Sequence, residues 1–460
     1  MARALTRDMS TGSTTKLILK FSIPMLIGNL FQQLYNMVDS IVVGNFVSKD
    51  ALAAIGATGS LIFLIFGLTF GLSAGISIVI SQYFGAKDYD NVRKSFATAT
   101  YIIVGAAIIM GTIGFFSSRW LLELLGTPPE IIEMSHLYMK ISYLGILGIA
   151  CYNGMAAVLR ALGDSITPLI FLVIASLLNV VLDLIFVIVF GWGITGVAIA
   201  TIISQVISAV GCITYAMSKV KILRMPLKEF KPDRVIFRKC LRIGIPVALQ
   251  NSFVSISMMA MQGVINDFNA TVMAAATVVS RIEQLVLQPS MSLGAAVAAF
   301  TGQNIGAGHI DRVKKGMKSA TIIILIFSLI MLPVMYFGGE YIMKLFTKKE
   351  DIDVVLYGIE GIRITSFFYS FVGMIFITRN FLSGSGDIRI PMIMGFTEVI
   401  CRVLFSRVLS AEIGFRGIFW ATSITWSITG ILGVLRVLSG KWKHKSIIKR
   451  PMKERIKVPE

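Results

Sequence analysis

Apolar residues come in long, nearly unbroken runs. Stretches of about 20 mostly apolar residues, the length a helix needs to cross a hydrocarbon core, recur near 17–46, 51–83, 96–117, 138–160, 168–190, 193–217, 240–266, 271–304, 318–338, 359–380, 390–411 and 415–438. Short segments rich in Lys, Arg, Gly and Pro separate them. The pattern predicts an all-α polytopic membrane protein with twelve transmembrane helices. The second and eighth runs are long enough to tilt or to protrude from the bilayer. The first run follows MARALTRDMSTGSTTK, which has no separate short apolar stretch with a small-residue cleavage site, so a retained helix is expected there rather than a cleaved leader.

The polar positions inside these runs carry the chemistry. In the first run Asn29, Gln33, Asn36 and Ser40 recur at i, i+4, i+7 and i+11, one narrow stripe at 100° per residue. Gln32 and Asp39 flank it. The fifth run carries Asn179 and Asp183, four apart and so on one face. The sixth carries Thr201, Ser204, Gln205 and Ser208. A carboxylate in hydrocarbon is costly and marks a functional site by default. Asp39, Asp183 and Thr201 each fall about 10–12 Å in from the same end of their helices, at 1.5 Å per residue. Carboxylate, amide and hydroxyl oxygens at one depth suit a hard cation. A proton would need only the two carboxylates, which in low dielectric titrate as a coupled pair.

The chain also repeats itself. KFSIPMLIGN (20–29) matches RIGIPVALQN (242–251), SQYFGAKDYDNVRKSFATAT (81–100) matches GQNIGAGHIDRVKKGMKSAT (302–321), LGDSITPLI (162–170) matches SGDIRIPMI (385–393), and GITGVAIAT (193–201) matches GFRGIFWAT (414–422). All four pairs are 221–223 residues apart. Six spans per half is an even number, so the halves are parallel repeats around an axis along the membrane normal. The expected organisation is an N-terminal lobe (1–217), a basic linker (218–239), a C-terminal lobe (240–438) and a basic tail (439–460). Two such lobes suit alternating access with substrate held between them, and a monomer is expected.

Composition and charge agree with this reading. The chain of 460 residues is 55% hydrophobic and only 15% charged, far from the quarter charged of soluble domains. Its net charge of +18 would suggest nucleic acid in a soluble protein, but the basic residues sit in short loops. About four in five loop Lys and Arg fall on the side that carries both termini, which predicts cytoplasmic termini. Nucleic-acid binding is therefore not expected; the lipid bilayer is the partner. The four cysteines, Cys151, Cys212, Cys240 and Cys401, lie in or beside apolar runs without ligand spacing, and His136, His309 and His444 are scattered. No metal centre, nucleophile–base pair or resident cofactor is expected, and so no enzyme.

The two halves differ in chemistry. The positions equivalent to Asp39 and Asp183 are Met261 and Leu404. In the second half Glu398 and Arg402, four apart, are expected to form a structural ion pair. Asn29, Gln33, Tyr35, Asn36, Phe253, Met258 and Met261 are candidates for an adaptable cleft wall. Pro24 and Pro246 lie early in the first and seventh runs, where helices can bend.

The stretches IPMLIGNLFQQLYNMVDSIVVG (23–44), SQYFGAKD (81–88), LRALGDSITP (159–168), NVVLDLIFVIVFGWGITGVAIAT (179–201) and GQNIGAG (302–308) resemble the MATE (multidrug and toxic compound extrusion) exporters, in particular their MepA-like branch. The resemblance covers essentially the whole chain. It implies a V-shaped, two-lobed MATE/MOP-type antiporter of a bacterial plasma (inner) membrane, conferring antibiotic resistance by exporting cationic amphipathic drugs in exchange for H⁺ or Na⁺. It also implies that Asp39, Asn179, Asp183 and Thr201 form the cation-coupling site. Relatives that carry further acids in spans seven and ten are not matched, since NSFVSISMM and SFFYSFVGMIF contain none. A lipid-linked oligosaccharide flippase of the same superfamily is the alternative, though it would want a basic cleft rather than buried acids. A major-facilitator transporter is disfavoured, because the loop GAKDYDNVRKS lacks that group's Gly/Asp/Arg pattern.

Overall fold

The computed structural model describes residues 6–347 and 351–448, which are helical without any strand. The first half contains α1 (Thr14–Phe46), α2 (Lys49–Gly85), α3 (Tyr89–Leu124), α4 (Pro129–Leu144), α5 (Ile146–Ala161), α6 (Ile166–Leu184) and α7 (Gly193–Lys219). The second contains α8 (Arg234–Asn266), α9 (Ala270–Ala307), α10 (Ile310–Lys344), α11 (Ile352–Ser366), α12 (Tyr369–Ser385), α13 (Arg389–Ile413) and α14 (Arg416–Leu438).

Two of the twelve expected spans are broken. The run at 138–160 is α4 and α5, bent by 48° at Gly145, and the run at 359–380 is α11 and α12, bent by 54° at Phe367–Phe368. The breaks are repeat equivalents, 222 residues apart. At Gly145 a Cβ would lie 2.3 Å from Cγ1 of Ile202, so the bend is where the Ile202 side chain of α7 packs onto the bare glycine backbone. Among the described residues, nine single helices and the two bent pairs are long and apolar enough to cross a membrane. The twelfth, α13, is not apolar enough, because every 18-residue stretch of it holds at least three of Arg389, Glu398, Arg402, Arg407 and Glu412. It is flanked by α8 and α14, and its Glu398 is paired with Arg379 inside the lobe.

Each half forms a lobe. In the first, α2 packs on α3, α4 and α5, and α7 on α5 and α6; in the second, α9 packs on α10, α11 and α12, and α13 on α8 and α14. The connecting segment is strapped to α3. The Tyr101 hydroxyl donates to the Phe230 carbonyl (2.9 Å), and the Asp233 amide donates to Thr98 Oγ1 (2.9 Å). The Asp233 carboxylate then caps α8 by accepting from the amides of Val235 and Ile236, as an N-cap aspartate should.

The helices α2 and α8 bring the lobes together toward one end. A Cβ on Gly71 would lie 2.3 Å from Cα of Ala248, and one on Gly75 would lie 2.5 Å from Cα of Gly244. At Gly67 the gap to Asn251 has widened to 4.0 Å, and Phe63, one turn further, is half exposed. Glycines thus bring α2 and α8 to backbone contact near one face, and the helices diverge toward the other. Both chain tails lie on the closed face: the Met9 amide donates to Gln303 and the Ile447 amide to Gln82. We call it the tail face. The cleft opens on the opposite face.

The helix α1 belongs to both lobes. Its first turns, with Leu17, Ile18 and Phe21, are buried in a core built by Val297, Phe300, Ile324, Phe381 and Trp442 of the second half. Its last turns, with Val42 and Val43, pack on Ala51, Val187 and Val197 of the first half. Pro24, which breaks one helical hydrogen bond, stands between the two regions.

Candidate functional site

Four residues from three helices converge near the open end of the first lobe. Asp183 on α6 is fully buried and Asn179, one turn earlier, is 1% exposed. The Asn179 amide donates to Thr201 Oγ1 on α7 (3.3 Å). Asp39 on α1 meets Asp183 with the two carboxyls in hydrogen-bonding reach of one another. Asp39, Asn179, Asp183 and Thr201 thus lie together in one cluster. Its acceptors are under-supplied. Asp39 Oδ1, both Asp183 oxygens and Asn179 Oδ1 are buried and take no hydrogen bond from any described group. Such oxygens are costly unless something donates to them or coordinates them.

Two tyrosines complete the surroundings. Tyr35, one turn before Asp39, and Tyr138 on α4 both stand beside the two carboxylates. Tyr138 was not legible in the sequence, since a tyrosine within an apolar run carries no signal of depth or facing. Directly after Asp183 the helix α6 widens into a π turn, Ile185–Val189, a distortion frequent at functional sites. Phe186 within it and Phe190 and Trp192 beyond it pack ring against ring at 5.0–5.8 Å, placing an aromatic belt where the helix leaves the apolar layer.

The candidate cleft residues divide. Asn36 is exposed, and Gln33 and Tyr35 are half-buried, on the α1 surface. Asn29 reaches across the lobes, its Nδ2 donating to Ser292 Oγ on α9 (3.1 Å). Phe253 packs edge-on against Phe396 at 5.7 Å, and Met258 is 55% exposed. Met261 is not a cleft residue: it is 6% exposed, in a core with Ile265, Val272, Ala276, Ile418 and Ala421. Its position explains this, because Ile236, Cys240, Ile243, Val247, Gln250, Ser257, Met261 and Val264 form one buried seam along α8, in steps of three or four residues and one of seven.

The expected Glu398–Arg402 ion pair is also corrected. Glu398 pairs with Arg379 of α12, both largely buried. Arg379 lies inside the lobe. Arg402 stands between Glu398 and Glu283 of α9 without a salt bridge to either, and Glu283 is in reach of the Thr365 hydroxyl. The i+4 spacing on α13 made the local partner look sufficient, but a side chain from a neighbouring helix reaches the carboxylate instead. Among the described residues no three His, Cys, Asp or Glu side chains group as a metal site, and the four cysteines are free.

Residues 24–185 and 246–408, one segment from each lobe, match the MatE family. The chain belongs to the MatE family. It is 30% identical over 441 residues to a probable multidrug resistance protein, YpnP, of Bacillus subtilis, covering 95% of this chain and 97% of that one. It is 25% identical over 428 residues to the multidrug export protein MepA of Staphylococcus aureus, covering 92% and 93% respectively. Its fold superimposes with a TM-score of 0.89 on a multidrug resistance MATE family transporter solved in an outward-facing conformation, at 24% identity and covering 96% and 99% of the two chains. In this MatE protein the four-residue cluster lies wholly in the first matched segment and its flank, and the second lobe has Met261 and Leu404 at the acid positions.

Proposed function

We propose that this MatE protein is a secondary active multidrug exporter. It would sit in a bacterial inner membrane with both termini in the cytoplasm, as a monomer without a resident cofactor, and exchange cationic amphipathic drugs for H⁺ or Na⁺ by alternating access. With the tail face inward, the cleft between the lobes opens to the outside, the state that releases drug and accepts the coupling ion. The observation that carries the coupling reading is the facing pair Asp39 and Asp183, in reach of one another and with oxygens that no protein donor satisfies.

Two like charges this close repel strongly in low dielectric. A proton held between them, or a sodium ion taking oxygens from Asp39, Asp183, Asn179 and Thr201, removes that repulsion. Because Asp39 rides on α1, ion entry draws the α1 end toward α6 and changes the wall that Gln33, Tyr35 and Asn36 present to drug. A ligand shifts such an equilibrium only by its differential affinity for the two states, and the buried unpaired oxygens supply that difference.

The test is ethidium accumulation in cells expressing Asp39→Asn or Asp183→Asn, followed by transport in proteoliposomes. Both variants should lose efflux. In the vesicles either an imposed pH gradient or an imposed sodium gradient should drive wild-type uptake, and that identifies the ion. Undiminished efflux by both variants would remove the acids from coupling.

A further inference from the structure

The tail face is closed by two glutamines related by the internal repeat. Gln82 on α2 and Gln303 on α9 are 221 residues apart and both fully buried. Gln82 Nε2 donates to the Gly384 carbonyl of the second lobe (3.0 Å), while Gln303 Nε2 donates to the Ala161 carbonyl of the first (2.8 Å). Each glutamine thus ties its own lobe to the end of the broken span of the other. The two helices touch through the same motif in reciprocal fashion: a Cβ on Gly85 would lie 1.9 Å from the Gln303 carbonyl oxygen, and one on Gly306 the same distance from that of Gln82. Any larger residue at either glycine would hold the helices apart.

The remaining lone pairs of both amides are taken by the chain tails. Gln303 Oε1 accepts the Met9 amide (2.8 Å), and Gln82 Oε1 accepts the Ile447 amide (2.9 Å). Each tail reaches its glutamine by crossing the other lobe. The N-terminal tail runs over Gly163, with the Arg7 amide donating to the Leu162 carbonyl (3.0 Å). The C-terminal tail runs over Gly386. Both glycines have positive φ, +85° and +91°, and a Cβ on either would strike the tail backbone at 2.1 and 2.2 Å. The N-terminal tail is held further by Asn304 and Arg312, which donate to the Met9 carbonyl, and by Arg312, which donates to the Gly12 carbonyl (2.8 Å). Every link in this set spans the lobe boundary or backs one that does.

We propose that Gln82 and Gln303 are a paired gating latch, each clamped by one chain tail, and that both tails must release their glutamine before the lobes part on the tail face. This rests on the alternating-access reading. Each amide both donates and accepts while the gate is closed, and opening it strips two buried side chains of partners they cannot replace without water. The latch therefore holds the gate shut between transport events, and its release is a shared step of every cycle whatever the drug.

Spin labels at Asp90→Cys and Asp311→Cys, exposed repeat equivalents in the first turns of α3 and α10, report the tail-face separation by pulsed dipolar spectroscopy in a background without the native cysteines. Gln82→Met with Gln303→Met keeps side-chain size and removes all the amide bonds. It should raise the open-to-closed ratio about 5- to 30-fold or more, because the four hydrogen bonds named above are lost together. Ile447→Pro removes one tail donor and lies outside every membrane helix, so it should shift the ratio in the same direction even if the double variant folds poorly. Wild-type protein is measured with and without ethidium and across pH to establish that an open population exists. If wild type opens and both variants give the wild-type ratio, the latch is wrong. If wild type never opens in any condition, the alternating-access reading itself fails.

Discussion

Removing one partner of the Arg379–Glu398 pair should destabilise the second lobe more than any surface change could. Both side chains are less than 10% exposed, so Arg379→Met leaves a carboxylate in the lobe interior. The loss of one partner of a buried pair costs about 3–5 kcal/mol. Here the Arg402 guanidinium stands beside Glu398 and offsets part of that, which puts the expected cost near the lower end, about 3 kcal/mol. Glu398→Leu should cost as much, because it strands Arg379. The double variant Arg379→Met/Glu398→Leu has no stranded charge between the two positions and should recover most of the loss, leaving a coupling energy of about 2 kcal/mol or more. Thermal unfolding in detergent, followed by fluorescence-detected size exclusion, reads this as a fall of about 5–10 °C for each single change and about half that or less for the pair. Single variants that melt within about a degree of wild type, or a double variant that melts as low as the sum of the two, would refute the reasoning.

Two further outcomes follow from the geometry. Gly75→Val puts a branched side chain where even a Cβ would lie 2.5 Å from Gly244. It should cost the closed tail face about 1–3 kcal/mol, seen as a wider Asp90–Asp311 label separation together with several-fold slower ethidium efflux; unchanged separation would contradict the contact. Thr201→Val removes the acceptor of the buried Asn179 amide and should raise the cation concentration for half-maximal transport about 5- to 150-fold, while an unshifted concentration dependence would detach Thr201 from the site.

Much of the fold was legible because the bilayer imposes length and polarity rules on each span separately. The runs, the repeat and the common depth of Asp39, Asp183 and Thr201 are all properties of single helices, and the structure brings Asn179 and Thr201 into contact as that depth requires. What the sequence hid is relational. The breaks at Gly145 and Phe367–Phe368 sit in continuous apolar runs, so hydropathy alone cannot show them. Arg379 reaches Glu398 from another helix, while spacing favoured Arg402, the neighbour on the same one. Met261 was read by its chemistry, although the buried seam along α8 was the better guide to its facing. The tails, polar and outside any span, gave no sign that Met9 and Ile447 would end against Gln303 and Gln82.

The split allegiance of α1 bears on biogenesis. Leu17, Ile18 and Phe21 complete a core whose other walls come from α9, α10 and α12, all synthesised more than two hundred residues later. The first lobe can insert and pack its α6 and α7 while those turns still lack their neighbours, and the second lobe cannot finish its interior without a segment made long before it. Co-expressed half-chains cut in the linker would therefore reassemble only by threading the start of α1 into its slot in the other half.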